Sequence, residues 1–175
     1  MNSKANKILW ENIFRKFKSE KRTKIEFLRS IPFFHKLKIR QLEEVSHILH
    51  ERIYEKDEHI FEMNQPGAAL FLIQSGEVSI EAKDDHGNVT QLALLRDQSF
   101  FGELALLDES PRSASARAET RTHAWALFRS DLQKLSTTRP DIACHVYKIL
   151  ANMIGERLKN TNKLLNSKDQ IKAAS

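Results

Sequence analysis

The chain has 175 residues, with 28 Lys+Arg against 23 Asp+Glu, one Cys and five Gly. That length suits one domain with appendages, and 41% apolar residues with ten Phe exclude a disordered tail. A single thiol, Cys144, excludes an internal disulfide and points to a reducing, cytoplasmic setting, and no apolar run approaches the roughly 18 residues that a membrane span needs.

Charge is unevenly spread. Residues 1–40 carry 12 Lys/Arg against three Asp/Glu, whereas 41–175 carry 16 against 20. A basic leader therefore precedes a mildly acidic body, so the positive total is weak evidence for nucleic-acid binding by that body.

In chain order, Leu9, Ile13 and Phe17, with Trp10 and Phe14 beside them, predict an amphipathic helix over 6–18. Ile25, Phe27 and Leu28 resume the pattern, and Pro32 breaks it. Leu42, Val45, Ile48 and Leu49 mark a second helix. From Arg52 the period changes to two. Ala69 to Ile73 reads as a buried strand, and Val78 and Ile80 alternate with polar neighbours. Asp84 to Asn88 reads as a hairpin tip, with Val89 to Leu95 returning. Ala114, Ala116 and Ala118 alternate with Ser115, Arg117 and Glu119, and Ala124 to Phe128 closes the region. Seven or eight short strands between 52 and 129 predict a closed roll or jelly roll. Ser130 caps a short helix from Asp131 to Leu135, and Pro140 opens a long one ending near Leu165. Asn166 to Ser175 shows no pattern.

The segment richest in chemistry runs from Phe100 to Ser115. Gly102 leads into a short helical run, Glu103 to Leu107, and a loop then returns to Pro111 and Arg112. Unpaired N–H groups at a helical start suit an anion, and glycine lets a phosphate come close. An arginine nine residues after Glu103 can return to pair with that phosphate, and Ser113 can add a hydroxyl donor. Glu103 beside an anion makes sense as an acceptor from ligand hydroxyls. Phosphate plus sugar hydroxyl is a nucleotide signature.

The run Phe-Gly-Glu-Leu-Ala-Leu-Leu (101–107) followed by Pro-Arg-Ser-Ala (111–114) resembles the phosphate-binding cassette of the cyclic nucleotide-binding domain family. Ile60 to Gly67, Leu70 to Ile73 and Gly76 to Val78 look like the opening of that family's roll, and Pro140 to Leu165 looks like its long helix. The resemblance implies a mainly β fold of class α+β: an eight-stranded antiparallel β-roll flanked by N-terminal helices and a long C-terminal helix. It implies that Glu103 accepts from the ribose 2′-OH and that Arg112 pairs with the cyclic phosphate. Ser113 and the Ala114 amide would also donate to the phosphate, and Gly102 and Leu104 would give backbone contacts. Leu92 would lie on a strand lining the base pocket, and Thr161 would meet the adenine amino group. The family usually has Gly where this chain has Asp57, Asn64 and Gln98; Asn and Asp tolerate positive φ, whereas Gln98 is harder to accommodate.

The expected organisation is a basic helical leader over 1–30, a cyclic nucleotide-binding domain over 31–165 and a disordered tail over 166–175. The roll would occupy about 52–129 and the C-terminal helices 130–165. The expected function is a cyclic nucleotide sensor, binding cAMP ahead of cGMP, that signals by helix rearrangement to a homodimer mate or a partner protein. The long C-terminal helix and the leader would form those contacts. The rival is a ligand-free interaction or membrane-tethering protein acting through the basic leader. A metal-using enzyme on such a roll needs clustered ligands, but His59, His86 and His123 stand singly, so neither an enzyme nor a metal is expected. His47 and His50, three apart, lack a third ligand. About ten residues follow the long helix, too few for a helix-turn-helix, so no DNA-binding domain is expected.

Overall fold

The computed structural model describes residues 24–31, 34, 36–84 and 86–173, with side chains through 159. The helix expected over 6–18 lies outside the described residues. The chain divides into two compact units, one ending at Gln133 and the other starting at Lys134.

In the first unit, residues 24–30 are helical (α1). Helix α2 spans Ile39–His47 and opens with a reciprocal cap: the Lys38 backbone N–H donates to Gln41 Oε1 at 3.0 Å. The helix stops at His47, and Leu49 already belongs to strand β1, Leu49–Tyr54. The second helix was expected to include Ile48 and Leu49, and the roll to begin at Arg52. Apolar Leu49 fits either period, and its pairing opposite Leu127 decides for strand. The remaining strands are β2 (His59–Phe61), β3 (Ala69–Ser75), β4 (Val78–Lys83), β5 (Val89–Leu95), β6 (Phe100–Phe101), β7 (Ser115–Ala118) and β8 (Thr122–Phe128). They form two four-stranded antiparallel sheets, in the orders β1-β8-β3-β6 and β2-β7-β4-β5. This is the expected eight-stranded roll.

Its interior holds Ala69, Phe71, Ile73, Val78, Phe101, Ala116 and Ala126, with Tyr54, Phe61 and Phe128 packed against them. The alternate residues Leu70, Leu72 and Leu127 point to the other side and are buried too. Strand β3 is thus buried on both faces, as its unbroken apolar run demands. The helical segment supplies the outer cover through buried Leu28, Ile31, Phe34, Leu42 and Val45. Lys24 pins it: Nζ donates to the carbonyls of Ser46 and Leu49 and lies 4.0 Å from the centre of the Trp125 ring.

Three non-glycine residues adopt positive φ: Asp57 (68°), Asn64 (68°) and Gln98 (66°). These are the three positions at which the resembled family usually carries glycine. The backbone keeps the turn, and the side chain bears the strain.

Helix α3 spans Arg129–Thr138, so Ser130 lies inside its first turn and is not its cap. Strand β8 passes directly into it, leaving no capping residue between. In the second unit, helix α4 spans Pro140–Ala173, continuing past Leu165 through most of the tail expected to be disordered. Ile142, Val146 and Leu150 are buried along it, whereas Leu158 is 60% exposed. Among the described residues no helix is long and apolar enough to cross a membrane, and no group of three or more His, Cys, Asp or Glu could hold a metal.

Candidate functional site

The turn after β6 begins at Gly102, whose φ of 76° places it in the left-handed region, and continues as a short 3-10 helix, Glu103–Leu106. Glycine is required there twice over. A Cβ would be strained at that φ, and it would stand 2.7 Å from Arg112 Nη1 and 3.1 Å from the Ala69 carbonyl.

Arg112 reaches this turn because its own backbone is fixed elsewhere. Its N–H donates to the Gln65 carbonyl at 2.8 Å, and its carbonyl accepts from the Asn64 N–H at 2.8 Å. The adjacent Pro66 and Pro111 pair as an isolated bridge. The positive φ of Asn64 therefore helps to set where Arg112 points. The side chain runs inward: Nη1 donates to the Gly102 carbonyl at 3.2 Å and Nη2 to the Ala69 carbonyl at 2.9 Å. The guanidinium carbon sits 4.0 Å from the centre of the Phe61 ring and 6.0 Å from that of Phe71. Nε is buried with no hydrogen-bond partner.

Arg112 is 8% exposed and Glu103 4%. Burial pulls the Arg112 guanidinium below its ordinary pKa, and the charge of Glu103, followed by that of Tyr54, pushes the other way. Burial likewise raises the Tyr54 phenol. Cations this deep are uncommon unless their charge is answered. Two carbonyl dipoles, an aromatic face and the charge of Glu103 answer it only in part, and the Nε N–H remains unused. That arrangement suits an anion.

The sequence-predicted residues divide into two groups. Gly102, Glu103 and Arg112 converge, and Leu104, Ser113 and Ala114 adjoin them in the chain; Leu104 is 41% exposed. Leu92 lies on β5, at the bulge where the register slips between Ile80 opposite Ala93 and Glu81 opposite Gln91, and it is 59% exposed. Thr161 falls on α4 among residues whose side chains are not described. Sequence reasoning assigned no role to Phe61 and Phe71, which face the guanidinium from two different strands, a meeting that no sequence signal marks. It also missed Arg129, whose contacts with the far end of the turn have no signature in spacing.

The sequence profile of the cyclic nucleotide-binding domain matches residues 51–139. The chain is 35% identical over 129 residues to the cyclic AMP receptor protein of Thermus thermophilus, covering 74% of this chain and 60% of that one. It is 35% identical over 116 residues to a cAMP-dependent protein kinase regulatory subunit of Aspergillus fumigatus, covering 66% of this chain and 27% of the other. The crystal structure of the Thermus thermophilus catabolite activator protein superimposes with a TM-score of 0.71 at 35% identity, covering 77% of this chain and 62% of that one. The chain thus spans less than two thirds of the length of each of these relatives.

Proposed function

Because this chain belongs to the cyclic nucleotide-binding domain family, we propose that it is a regulatory binding module for cAMP, signalling through rearrangement of its C-terminal helices rather than through catalysis. The observation that carries this reading is Arg112. It is a buried guanidinium held on two carbonyls beside Glu103, with Nε unpartnered. A cyclic phosphate would answer its charge, and Glu103 would accept from the ribose 2′-OH. Ser113 and the Ala114 amide would add donors to the phosphate, and Gly102 and Leu104 would give backbone contacts. Leu92 and Thr161 would close on the base only after rearrangement. Relatives whose names include cAMP support adenine over guanine. A partner protein or a second copy would receive the signal from the long helix.

Binding stabilises the folded state in proportion to ligand affinity, so melting temperature reports it. The test is a calorimetric and melting screen of cAMP, cGMP, AMP and cyclic dinucleotides on the full chain. The expected result is a rise in melting temperature with cAMP, a smaller one with cGMP and none with AMP. A chain that ignores all four compounds sinks the reading.

A further inference from the structure

The turn that would hold the nucleotide is gripped at both ends by arginines. Arg112 holds its start through the Gly102 carbonyl. Arg129, the first residue of α3, holds its far end: Nη1 donates to the Ala105 carbonyl at 3.2 Å and to the Asp108 carbonyl. Its Nη2 also lies 3.7 Å from Glu109 Oε1, but that carboxylate is 89% exposed and adds little. Both arginines are tied to the chain where it enters β3. The Arg129 N–H donates to the Ala68 carbonyl at 2.8 Å, and Arg112 Nη2 donates to the next carbonyl, Ala69, at 2.9 Å. Beneath the turn, a Cβ on Gly67 would stand 2.9 Å from Ala105 Cβ, so this floor is closed.

Between the two grips the turn is internally bonded, from the Ala105 N–H to the Gly102 carbonyl and from the Leu107 and Asp108 N–H groups to the Leu104 carbonyl. A pull at its start is therefore delivered at its far end. We propose that Arg129 is a positioning residue that transmits occupancy of the turn to the first turn of α3, and this rests on the cyclic nucleotide reading above. A phosphate on Arg112 draws donors from the Gly102 and Ala69 carbonyls, and the front of the turn is released. The Ala105 and Asp108 carbonyls move with it, and Arg129 carries that shift into the helix it opens. The ligand biases α3 only because the two positions of the turn differ in affinity for it. Arginine suits the role because its planar fork can serve several carbonyls at once, which a lysine ammonium on a flexible stem does poorly.

The test is hydrogen exchange on the full chain with and without cAMP, run beside calorimetry, for the wild type, Arg129→Lys and Arg129→Gln. The Arg129 N–H, bonded to the Ala68 carbonyl, and the amides from Gln133 onward, which bond back to the first turn, exchange through local opening, so they report its grip. In the wild type, cAMP is expected to change exchange over 129–133. Both variants are expected to bind cAMP within about tenfold of wild type, since Arg112 and its carbonyl partners are untouched, yet to lose that change, with Arg129→Lys keeping at most part of it. Variants that bind cAMP and keep the full change at α3 overturn the proposal, as does a wild type that binds without any change there. If both variants fail to melt cooperatively, Arg129 is a structural residue and the proposal falls. A wild type that binds no cyclic nucleotide removes the underlying reading as well, which calorimetry distinguishes.

Discussion

Arg112 and Arg117 lie five residues apart and live in opposite electrostatic worlds. Arg117, on the outward side of β7, donates to Glu81 from Nε and Nη2 at 3.2 and 2.9 Å, to Glu119 at 2.8 Å and to Asp57 at 3.0 Å. The hydrogen bonds that Glu81 accepts, reinforced by the charges of Glu81, Glu119 and Asp57, raise its pKa. Arg112 has two carbonyls, an aromatic face, the charge of Glu103 and an idle Nε, and burial lowers its pKa against that charge. A cation surrounded by carboxylates is finished: an arriving anion gains nothing there. A cation held on carbonyl dipoles, with Glu103 as its one acidic neighbour and its Nε unused, still has charge to offer. Buried charge alone does not mark a binding site; the chemistry of what answers the charge does.

The contrast breaks first at Arg112. Removing a charge-assisted hydrogen bond costs about 1.5–3 kcal/mol, so Arg112→Ala is expected to weaken cAMP about ten- to hundred-fold by calorimetry. Unchanged affinity would show that Arg112 is another structural arginine. Arg117→Ala should do the reverse. It leaves three carboxylates facing one another without their cation, and the network is partly exposed, so about 1–2 kcal/mol of stability is expected to be lost in urea unfolding. Its cAMP affinity should stay at the wild-type value, and a joint loss of both would erase the distinction.

How far this was legible in the sequence depends on the kind of signal. The roll was legible because alternation and turn residues are local, and the cassette because Gly102, Glu103 and Arg112 lie within one short stretch. The edges were not. Leu49 and Ser130 sit where one element passes into the next without a breaker, and pairing across the sheet decides such positions. The helical continuation to Ala173 lacks an apolar period to announce it. The aromatic face under Arg112 depends on Phe61 and Phe71 meeting from different strands, which spacing along the chain does not encode.

The positive-φ residues sharpen the comparison at a smaller scale, because one of them serves Arg117. Asp57 accepts the bond from Arg117 Nη1, so replacing it by glycine relaxes the backbone but removes a carboxylate. Gln98 has the same φ and an exposed side chain; its backbone N–H donates to the Ile73 carbonyl at 2.9 Å, a bond that glycine keeps. Relief of left-handed strain, less the added chain entropy of glycine, predicts that Gln98→Gly stabilises by about 0.5–1 kcal/mol. Asp57→Gly is expected to gain less or to lose. Thermal melting of the two variants checks the order, and equal gains would mean that the Asp57 carboxylate contributes nothing to the Arg117 network.

Lys24 provides the finest test, because its surroundings imitate those of Arg112: two carbonyls, of Ser46 and Leu49, and an aromatic ring 4.0 Å away. Burial lowers its pKa from the ordinary 10.5, and the charge of Glu51 opposes that shift. A folded-state pKa below the unfolded one means that the unfolded chain binds more protons between the two values, so Lys24 makes stability rise with pH across that window. Lys24→Met removes the titrating group. The stability of the wild type minus that of Lys24→Met is therefore expected to increase as pH rises from the lowered value toward 10.5, measured by urea midpoints, while cAMP affinity stays within about twofold, as for a site independent of Arg112. A difference that is flat across the window would mean that Lys24 is as well solvated folded as unfolded. Weakened cAMP binding would mean that an ammonium on carbonyls beside Trp125 reaches the ligand, and that the receptive cation is not defined by Arg112 alone.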